Sequence, residues 1–379
     1  MDSRPVLVGM TRGEMAEALS FRPDAKLRAK QIAHHLYARA IDDFQEMLDL
    51  PKELRDELER RFRTSPLSVA AHRVSTDNVD KLLVHNGDDQ VYECVLLPYE
   101  ERVSCCLSSQ VGCPMGCKFC ATGLGGFDRN LTAGEIIGQY LLLQRVANRT
   151  HGTPTQPPPP GTNIRQGEER RRVSHVVFMG MGEPLLNLPN VLKAIRLMHE
   201  EVGLSYRHIT ISTVGLVPQI RQLATEKLPI HLALSLHSPL DEVRNRLMPV
   251  NHKWPVAEVM QAMKDYQKAT GRKITIEYLL IKGLTDTPDQ AQELARLVRG
   301  TPSVVNLIPF NWVDTGEGFA RPEAERVRTF RSILDNRGVN VTQRVERGHD
   351  IAAACGQLAG QHTGKFARRA ELSALPVLS

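Results

Sequence analysis

The chain has 379 residues, of which 41% are hydrophobic and 24% charged, with a formal net charge of +5. That length accommodates one large domain and a small one, and the composition excludes a disordered or collagen-like polymer. No apolar run reaches the roughly 20 residues a bilayer span needs, and Met1 to Pro5 opens without a basic patch and apolar segment; no membrane association and no secretory leader are expected.

In chain order, residues 1–66 are predicted to form a small helical module. Its first helix runs over Ala25–Ala40, with Leu27, Ile32, Leu36 and Tyr37 on one face. A second starts at Pro51, where proline suits a first turn, and ends near Phe62. The polar faces are basic, which fits RNA contact and a merely solvated surface equally well. Residues 67–98 alternate in two runs around Asn86-Gly87, a predicted β-hairpin linking the module to the larger domain.

From residue 99 to 350 the pattern becomes strand, loop, helix, repeated. Strands are predicted at Val103–Ser109, Val173–Met179, His208–Ser212, Ile230–Leu236, Ile274–Leu280 and Val304–Ile308. Helices are predicted at Ala133–Val146, Leu188–Val202, Val256–Thr270, Pro288–Val298 and Glu323–Arg337. Six βα units of this spacing imply an α/β fold with a parallel sheet, closed as a partial (β/α)6 barrel or open and doubly wound. Either way, reactive groups gather where the strands end. Glycine-rich or polar segments follow five of the six strands, including Gly180-Met-Gly-Glu-Pro184 and Ser235-Leu-His-Ser238. Asn148–Arg172, rich in proline and arginine, is expected to be an extended or disordered loop, and residues 351–379 a loop and loose tail.

Six of the seven cysteines fall between Cys94 and Cys120, which suits metal or redox work in a reducing, cytoplasmic compartment better than a disulfide framework. The first strand leads into Cys113-Pro-Met-Gly-Cys117-Lys-Phe-Cys120. Thiolates suit zinc or iron–sulfur clusters. A structural zinc site closes with four protein ligands, and a cubane cluster normally takes four thiolates. Three local cysteines point to a cubane with one iron open to the amine and carboxylate of a small molecule. A zinc knuckle completed by a distant ligand, or three buried thiols, are the competing readings.

The cysteine spacing, with Phe119 before the third thiol, resembles the signature of radical S-adenosylmethionine (SAM) enzymes. Cys106–Cys113, Gly126–Thr132, Met179–Asn187 and Ala353–Gly360 resemble, in addition, the RlmN/Cfr family of radical SAM methyltransferases that act on adenine in RNA, and the likeness extends to the N-terminal module. The resemblance implies a partial radical SAM barrel holding a [4Fe-4S] cluster on Cys113, Cys117 and Cys120. It implies SAM contacts at Gly182, Glu183, Ser212, Ser235, Leu236, His237 and Asn311. An electron-poor ring carbon of adenine does not attack a sulfonium methyl, so the family uses a one-electron route for which the cofactor carries the hard chemistry. By resemblance, Cys355 is methylated by a first SAM, loses hydrogen to a radical from a second, and tethers the base covalently. Cys106 then resolves the adduct through a disulfide with Cys355, and Glu93, thirteen residues before Cys106, is the general base. Cys105 and Cys106 point to opposite faces of a strand, and parity alone does not choose between them; the family pattern selects Cys106.

The substrate implied is 23S rRNA, with tRNA a second substrate in some members, and the electron donor a flavodoxin or ferredoxin; a monomer is expected. Gln110-Val-Gly and Gly126–Thr132 favour C2 of adenine, whereas Cys117-Lys-Phe-Cys-Ala-Thr-Gly echoes the C8-methylating branch. A non-catalytic, zinc-containing RNA-binding protein is the alternative of another class.

Overall fold

The computed structural model describes residues 2–87, 90–150, 172–313, 316–344 and 347–358. The N-terminal helices are α1 (Arg12–Ala18), α2 (Ala25–Ala33) and α3 (Lys52–Arg61), and α2 continues through a wider π turn, His34–Ala38. Thr11 caps α1 in a full capping box with Glu14. The buried stripe of the second helix is Ala29, Ile32, Ala33 and Leu36, with Tyr37 beside it. Leu27 does not join that stripe and is 56% exposed. It lies five residues from Ile32, which at 100° per residue turns it well away from the core. The module packs on the rest of the chain through the Arg12–Glu201 and Lys193–Glu14 ion pairs, at 2.8 and 2.7 Å. Gly9 and Gly134 also meet there: a Cβ on Gly9 would lie 2.5 Å from Gly134 Cα.

Residues 67–98 supply three antiparallel strands rather than two, β1 (Ser68–Val74), β2 (Asp80–His85) and β3 (Val91–Pro98). Their hairpin does not stand apart, because β3 pairs with β4 (Val103–Cys106) and so extends the main sheet. A short ribbon comes next, β5 (Gln110–Gly112) against β6 (Phe127–Asn130), with the one-turn helix α4 (Ala121–Leu124) between them.

Parallel strands then alternate with α5 (Ala133–Thr150), α6 (Leu188–Leu197), α7 (Val217–Thr225), α8 (Asp241–Leu247), α9 (Val256–Thr270), α10 (Pro288–Val298) and α11 (Ala324–Asp335). The strands are β7 (Val173–Phe178), β8 (Ile209–Thr213), β9 (His231–Ser235), β10 (Ile274–Leu280), β11 (Ser303–Pro309) and β12 (Val341–Gln343). Among the described residues the sheet order is β1-β2-β3-β4-β7-β8-β9-β10-β11-β12, parallel from β4 onward. The expected α/β architecture is present, with β12 as a seventh parallel strand. Strands such as His231-Leu-Ala-Leu-Ser235 are apolar and buried through their middle, as parallel strands covered on both faces are. Each helix buries an apolar stripe, as α6 does with Leu188, Val191, Leu192 and Ile195. The predicted loop at Asn148 starts later than expected, since α5 runs to Thr150; residues 151–171, and the tail from 359, lie outside the described residues. No helix among the described residues is long and apolar enough to cross a membrane.

Candidate active site

The chain leaves β4 at Cys106 and stays tied to its neighbour. Leu107 N donates to Val177 O at 2.9 Å and Gly180 N to Leu107 O at 3.2 Å. The β5–β6 ribbon then forces a tight approach, for which Gly112 is required: its φ is +75°, and a Cβ there would lie 2.1 Å from the Gly126 carbonyl oxygen. Cys113 N donates to that same oxygen at 2.7 Å. The far end of the loop is held by Lys118 N donating to Leu247 O at 2.9 Å, and by the Phe119 ring set edge-on to His237 at 4.7 Å.

Cys117 is buried while Cys113 and Cys120 are half-buried. Burial pushes the Cys113 thiol up to about 12 and raises Cys117 well above the ordinary thiol value, and the neighbouring thiols add to the effect. A bound cation reverses that preference. Among the described residues, no three His, Cys, Asp or Glu side chains converge on a point that would hold a single metal ion. Three soft sulfurs on one loop, close enough to influence one another, are the ligand type that iron–sulfur clusters take.

Beside this loop lies a cavity of about 810 Å³, lined by residues from every parallel-strand end that carries a motif: Cys120, Gly182, Glu183, Ser212, Ser235, His237 and Asn311. Gly182 has φ +98°, and a Cβ there would lie 2.5 Å from Gln110 Cβ, so only glycine passes. Glu183 is 2% exposed; its carboxylate accepts from Val214 N at 2.8 Å and Leu185 N at 3.0 Å. Burial raises its pKa to about 7 despite those bonds. Ser212 and Ser235 hydroxyls are 3.4 Å apart on adjacent strands. His237 holds a left-handed φ of +60° and accepts from Leu279 N through Nδ1 at 3.1 Å. Burial lowers its pKa to about 3, so it is neutral with its proton on Nε2. Asn311 Nδ2 donates to Cys355 O at 3.3 Å, while its buried Oδ1 has no hydrogen-bond partner among the described residues. Leu236 is fully buried and its side chain does not line the cavity.

A second cavity, about 510 Å³, shares Asn311, Arg344 and Cys355 with the first and is lined by Cys106, Leu97 and Tyr99 as well. All seven cysteines are free thiols. Burial pushes Cys106 up to about 12, with Cys355 adding to the rise and Arg344 opposing it. Cys105 is fully buried and lines neither cavity, whereas Cys106, on the opposite face of β4, lines the second. The loop bearing Cys355 is sewn in from both sides. Ala121 N donates to Gly356 O at 2.8 Å and Thr122 Oγ1 to Leu358 O at 2.9 Å, beside the cysteine loop. Across the site, Thr76 N donates to Asp350 Oδ2 at 2.9 Å and Gly348 N to Asp77 Oδ1 at 3.1 Å. Glu93 is buried on the same sheet face as Cys106, ion-paired to Lys81 at 3.1 Å, but lines neither cavity.

Several residues that build the site escape sequence reasoning. Arg244 of α8 is fully buried, donating to Leu236 O (3.0 Å), Val214 O (2.6 Å) and Asn251 Oδ1 (2.6 Å). It fastens the loops after β8 and β9, and burial lowers its pKa to about 10. Within Asp241-Glu-Val-Arg-Asn-Arg246 nothing distinguishes it from a surface arginine. Gln110 accepts from Glu183 N at 2.8 Å, and Asn187 donates to Ser109 O and Leu131 O. Arg344, at the end of β12, lines both cavities, and the Cys355 thiol beside it raises its pKa.

Residues 107–298 match the family profile described as the Radical SAM superfamily, and residues 6–63 one described as the ribosomal RNA large subunit methyltransferase N-terminal domain. A protein of Symbiobacterium thermophilum, described as a probable dual-specificity RNA methyltransferase RlmN, is 45% identical, covering 94% of this chain and 91% of its own length. A Thermotoga maritima protein of the same description is 42% identical over 88% of this chain and 91% of its own. The crystal structure of a radical SAM methyltransferase from Sphaerobacter thermophilus superposes with a TM-score of 0.86 at 40% identity, covering 94% of this chain and 99% of that one.

Proposed function

Because the chain belongs to the RlmN family of radical SAM methyltransferases, we propose that it methylates C2 of an adenine in 23S rRNA, with tRNA as a second substrate. The family carries a [4Fe-4S] cluster and SAM; when bound, they supply a methyl group and a 5′-deoxyadenosyl radical. Cys113, Cys117 and Cys120 are the thiolates that hold the cluster, and Gly182 and Glu183 meet the SAM ammonium with backbone and carboxylate. Asn311 Oδ1, buried and without a partner among the described residues, has an acceptor to offer the same ligand. Ser212, Ser235 and the neutral His237 complete the polar lining. Leu236 contributes through its backbone, which holds the β9 end against Glu277 and Arg244.

The observation that carries the reading is the shared wall of the two cavities. Cys355 lines both, so it borders the larger cavity on one side and shares the smaller one with Cys106 on the other. A Cys355 sulfur that accepts a methyl, delivers a carbon to the base and is then released needs that placement. Rearomatising the radical adduct removes one electron, which the oxidised cluster would accept when bound, and the proton on the attacked ring carbon, which Glu93 takes. The Cys106 thiolate then attacks the Cys355 sulfur; an S–S bond forms, the sulfur–methylene bond breaks, and the carbon takes a proton to become the methyl group. Residues 1–66 act as an accessory RNA-binding unit, 67–98 as the flanking hairpin, 99–350 as the radical SAM core and 351–379 as the catalytic-cysteine loop with its tail. Electrons arrive from a flavodoxin or ferredoxin.

Nucleoside mass spectrometry of RNA from a host that lacks its own enzyme and expresses this chain tests the assignment. 2-Methyladenosine is expected. 8-Methyladenosine alone would move the chain to the C8 chemistry that Cys117-Lys-Phe-Cys-Ala-Thr-Gly echoes, and neither product would overturn RNA methylation.

A further inference from the structure

We propose that Lys81 is a positioning residue: it orients the Glu93 carboxylate for proton removal and couples it to the loop that carries Cys355. The inference rests on Glu93 acting as the general base of the proposed reaction, and deepens that reading.

Strand register brings the groups together. Across β2 and β3, Leu83 faces Glu93 and Lys81 faces Val95; across β3 and β4, Val95 faces Cys106. Lys81, Glu93 and Cys106 therefore share one face of the sheet, the face that looks toward Cys355 rather than toward α5. Lys81 Nζ lies 3.1 Å from Glu93 Oε1 and donates to the Ala352 carbonyl at 3.2 Å, three residues before Cys355. Both side chains are almost out of water, at 9% and 4% exposure.

An ammonium and a carboxylate are seldom buried so far, and a buried pair is weak evidence of stabilisation, because desolvation offsets the attraction. Two apolar side chains of similar volume often serve stability as well as such a pair. What the pair does provide is orientation. An ammonium on one carboxylate oxygen anchors that oxygen, and the second contact, to Ala352, ties the anchor to the loop that carries Cys355. Proton transfer is sensitive to such placement, since the base must lie within hydrogen-bond reach of the proton it takes.

The reaction has separable stages, and that makes the role measurable. The reconstituted full-length enzyme is incubated anaerobically with an unmodified 23S rRNA transcript. Three products are followed: S-methylation of Cys355, enzyme–RNA adduct on denaturing gels, and methyladenosine. Lys81→Gln is expected to methylate Cys355 within about twofold of the parent, to accumulate adduct, and to form methyladenosine at least tenfold more slowly. Lys81→Arg, which keeps the charge, is expected to recover most of the turnover. Parental turnover by Lys81→Gln overturns the proposal. So does loss of Cys355 methylation together with the adduct, which marks Lys81 as a mere brace for the loop. Should Lys81→Gln not fold, Lys81→Arg decides: near-parental turnover supports the charge as the operative contact, and lost Cys355 methylation overturns it. A parent enzyme that forms neither S-methylcysteine nor methyladenosine defeats the underlying reading instead.

Discussion

The two cavities meet at Cys355, yet they are built in opposite ways. The larger one is a rim of parallel-strand ends, each held by the strand beside it, and its polar groups come from short contiguous motifs. The smaller one is a seam: an antiparallel strand contributes Leu97, a separate strand Cys106, and a loop far along the chain Cys355. Most of the first is held by the sheet, with Cys355 closing one side. The second exists only while the C-terminal loop is clipped to the Asp77 turn and to the Ala121–Thr122 turn. On the proposed reading, cofactor chemistry falls to the part held by the sheet and the covalent step to the part held by loop hydrogen bonds.

The sharpest way to break this division is at the shared sulfur. Cys355→Ala should abolish methyladenosine entirely while leaving SAM binding within about twofold, because the larger cavity keeps every other polar group. Cys106→Ala should instead trap the enzyme on RNA, visible as a slowly migrating band on a denaturing gel. Methylation that survives Cys355→Ala would end the covalent route.

Next in size is Arg244→Met. Removing the guanidinium leaves the carbonyls of Leu236 and Val214 and the Asn251 side chain without their donor. Buried acceptors left unpaired cost roughly 1–3 kcal/mol each, so a loss of about 3 kcal/mol is expected in denaturant titrations. The cluster loop leans on this element through Lys118 N and Leu247 O, and iron content after reconstitution should fall with stability. A variant of parental stability would show that the hub is not structural.

Gly182→Ala sharpens the stiff side of the comparison. The new Cβ would collide with Gln110 and the residue would keep a left-handed φ, which costs of order 1–3 kcal/mol. SAM affinity should drop about tenfold or more, with S-methylation of Cys355 falling in parallel. Unchanged affinity would mean the loop moves freely and the cavity is less rigid than its hydrogen bonds imply.

A gentler probe is pH. Glu183 has a folded pKa of about 7 against 4.5 for an ordinary glutamate, through burial. A raised carboxyl stabilises the fold fully below the ordinary value and ceases to do so as pH rises through the folded one. The protein without SAM should therefore lose stability between about pH 4.5 and 7, by up to about 3 kcal/mol. The SAM ammonium favours the carboxylate, so affinity should climb by up to about tenfold per pH unit to near pH 7 and then level off. Glu183→Gln should flatten both curves; a flat parental SAM profile would contradict a Glu183–ammonium contact.

The same contrast explains how much could be read beforehand. Motifs of the larger cavity each come after a short apolar run, so strand prediction and motif position reinforced one another from Val103 to Asn311. The seam was legible only through family likeness, because nothing local relates Cys106 to Cys355 or Lys81 to Ala352. Arg244 was invisible for a related reason: its partners are backbone carbonyls of distant loops, which leave no mark on its own helix. The third antiparallel strand, β1, half-exposed and mixed in composition, and the three-residue β12 lack the alternation or length that would announce them. Leu27 shows the converse, a leucine counted into a helical face that the core does not use.

That residue supplies the mildest expectation and a control for the rest. Leu27 lies 56% exposed in the N-terminal module, outside both cavities, and surface substitutions away from special features stay within about 0.5 kcal/mol. Leu27→Ser should leave the denaturation midpoint, SAM affinity and Cys355 methylation unchanged, whereas Leu36→Ala, on the buried stripe, should cost about 2–5 kcal/mol. If Leu27→Ser weakened RNA binding alone, the module's basic face would gain an apolar contact point. If it altered Cys355 methylation, a residue remote from both cavities would be coupled to the sulfur, and the division of labour between stiff rim and yielding seam would have to be redrawn.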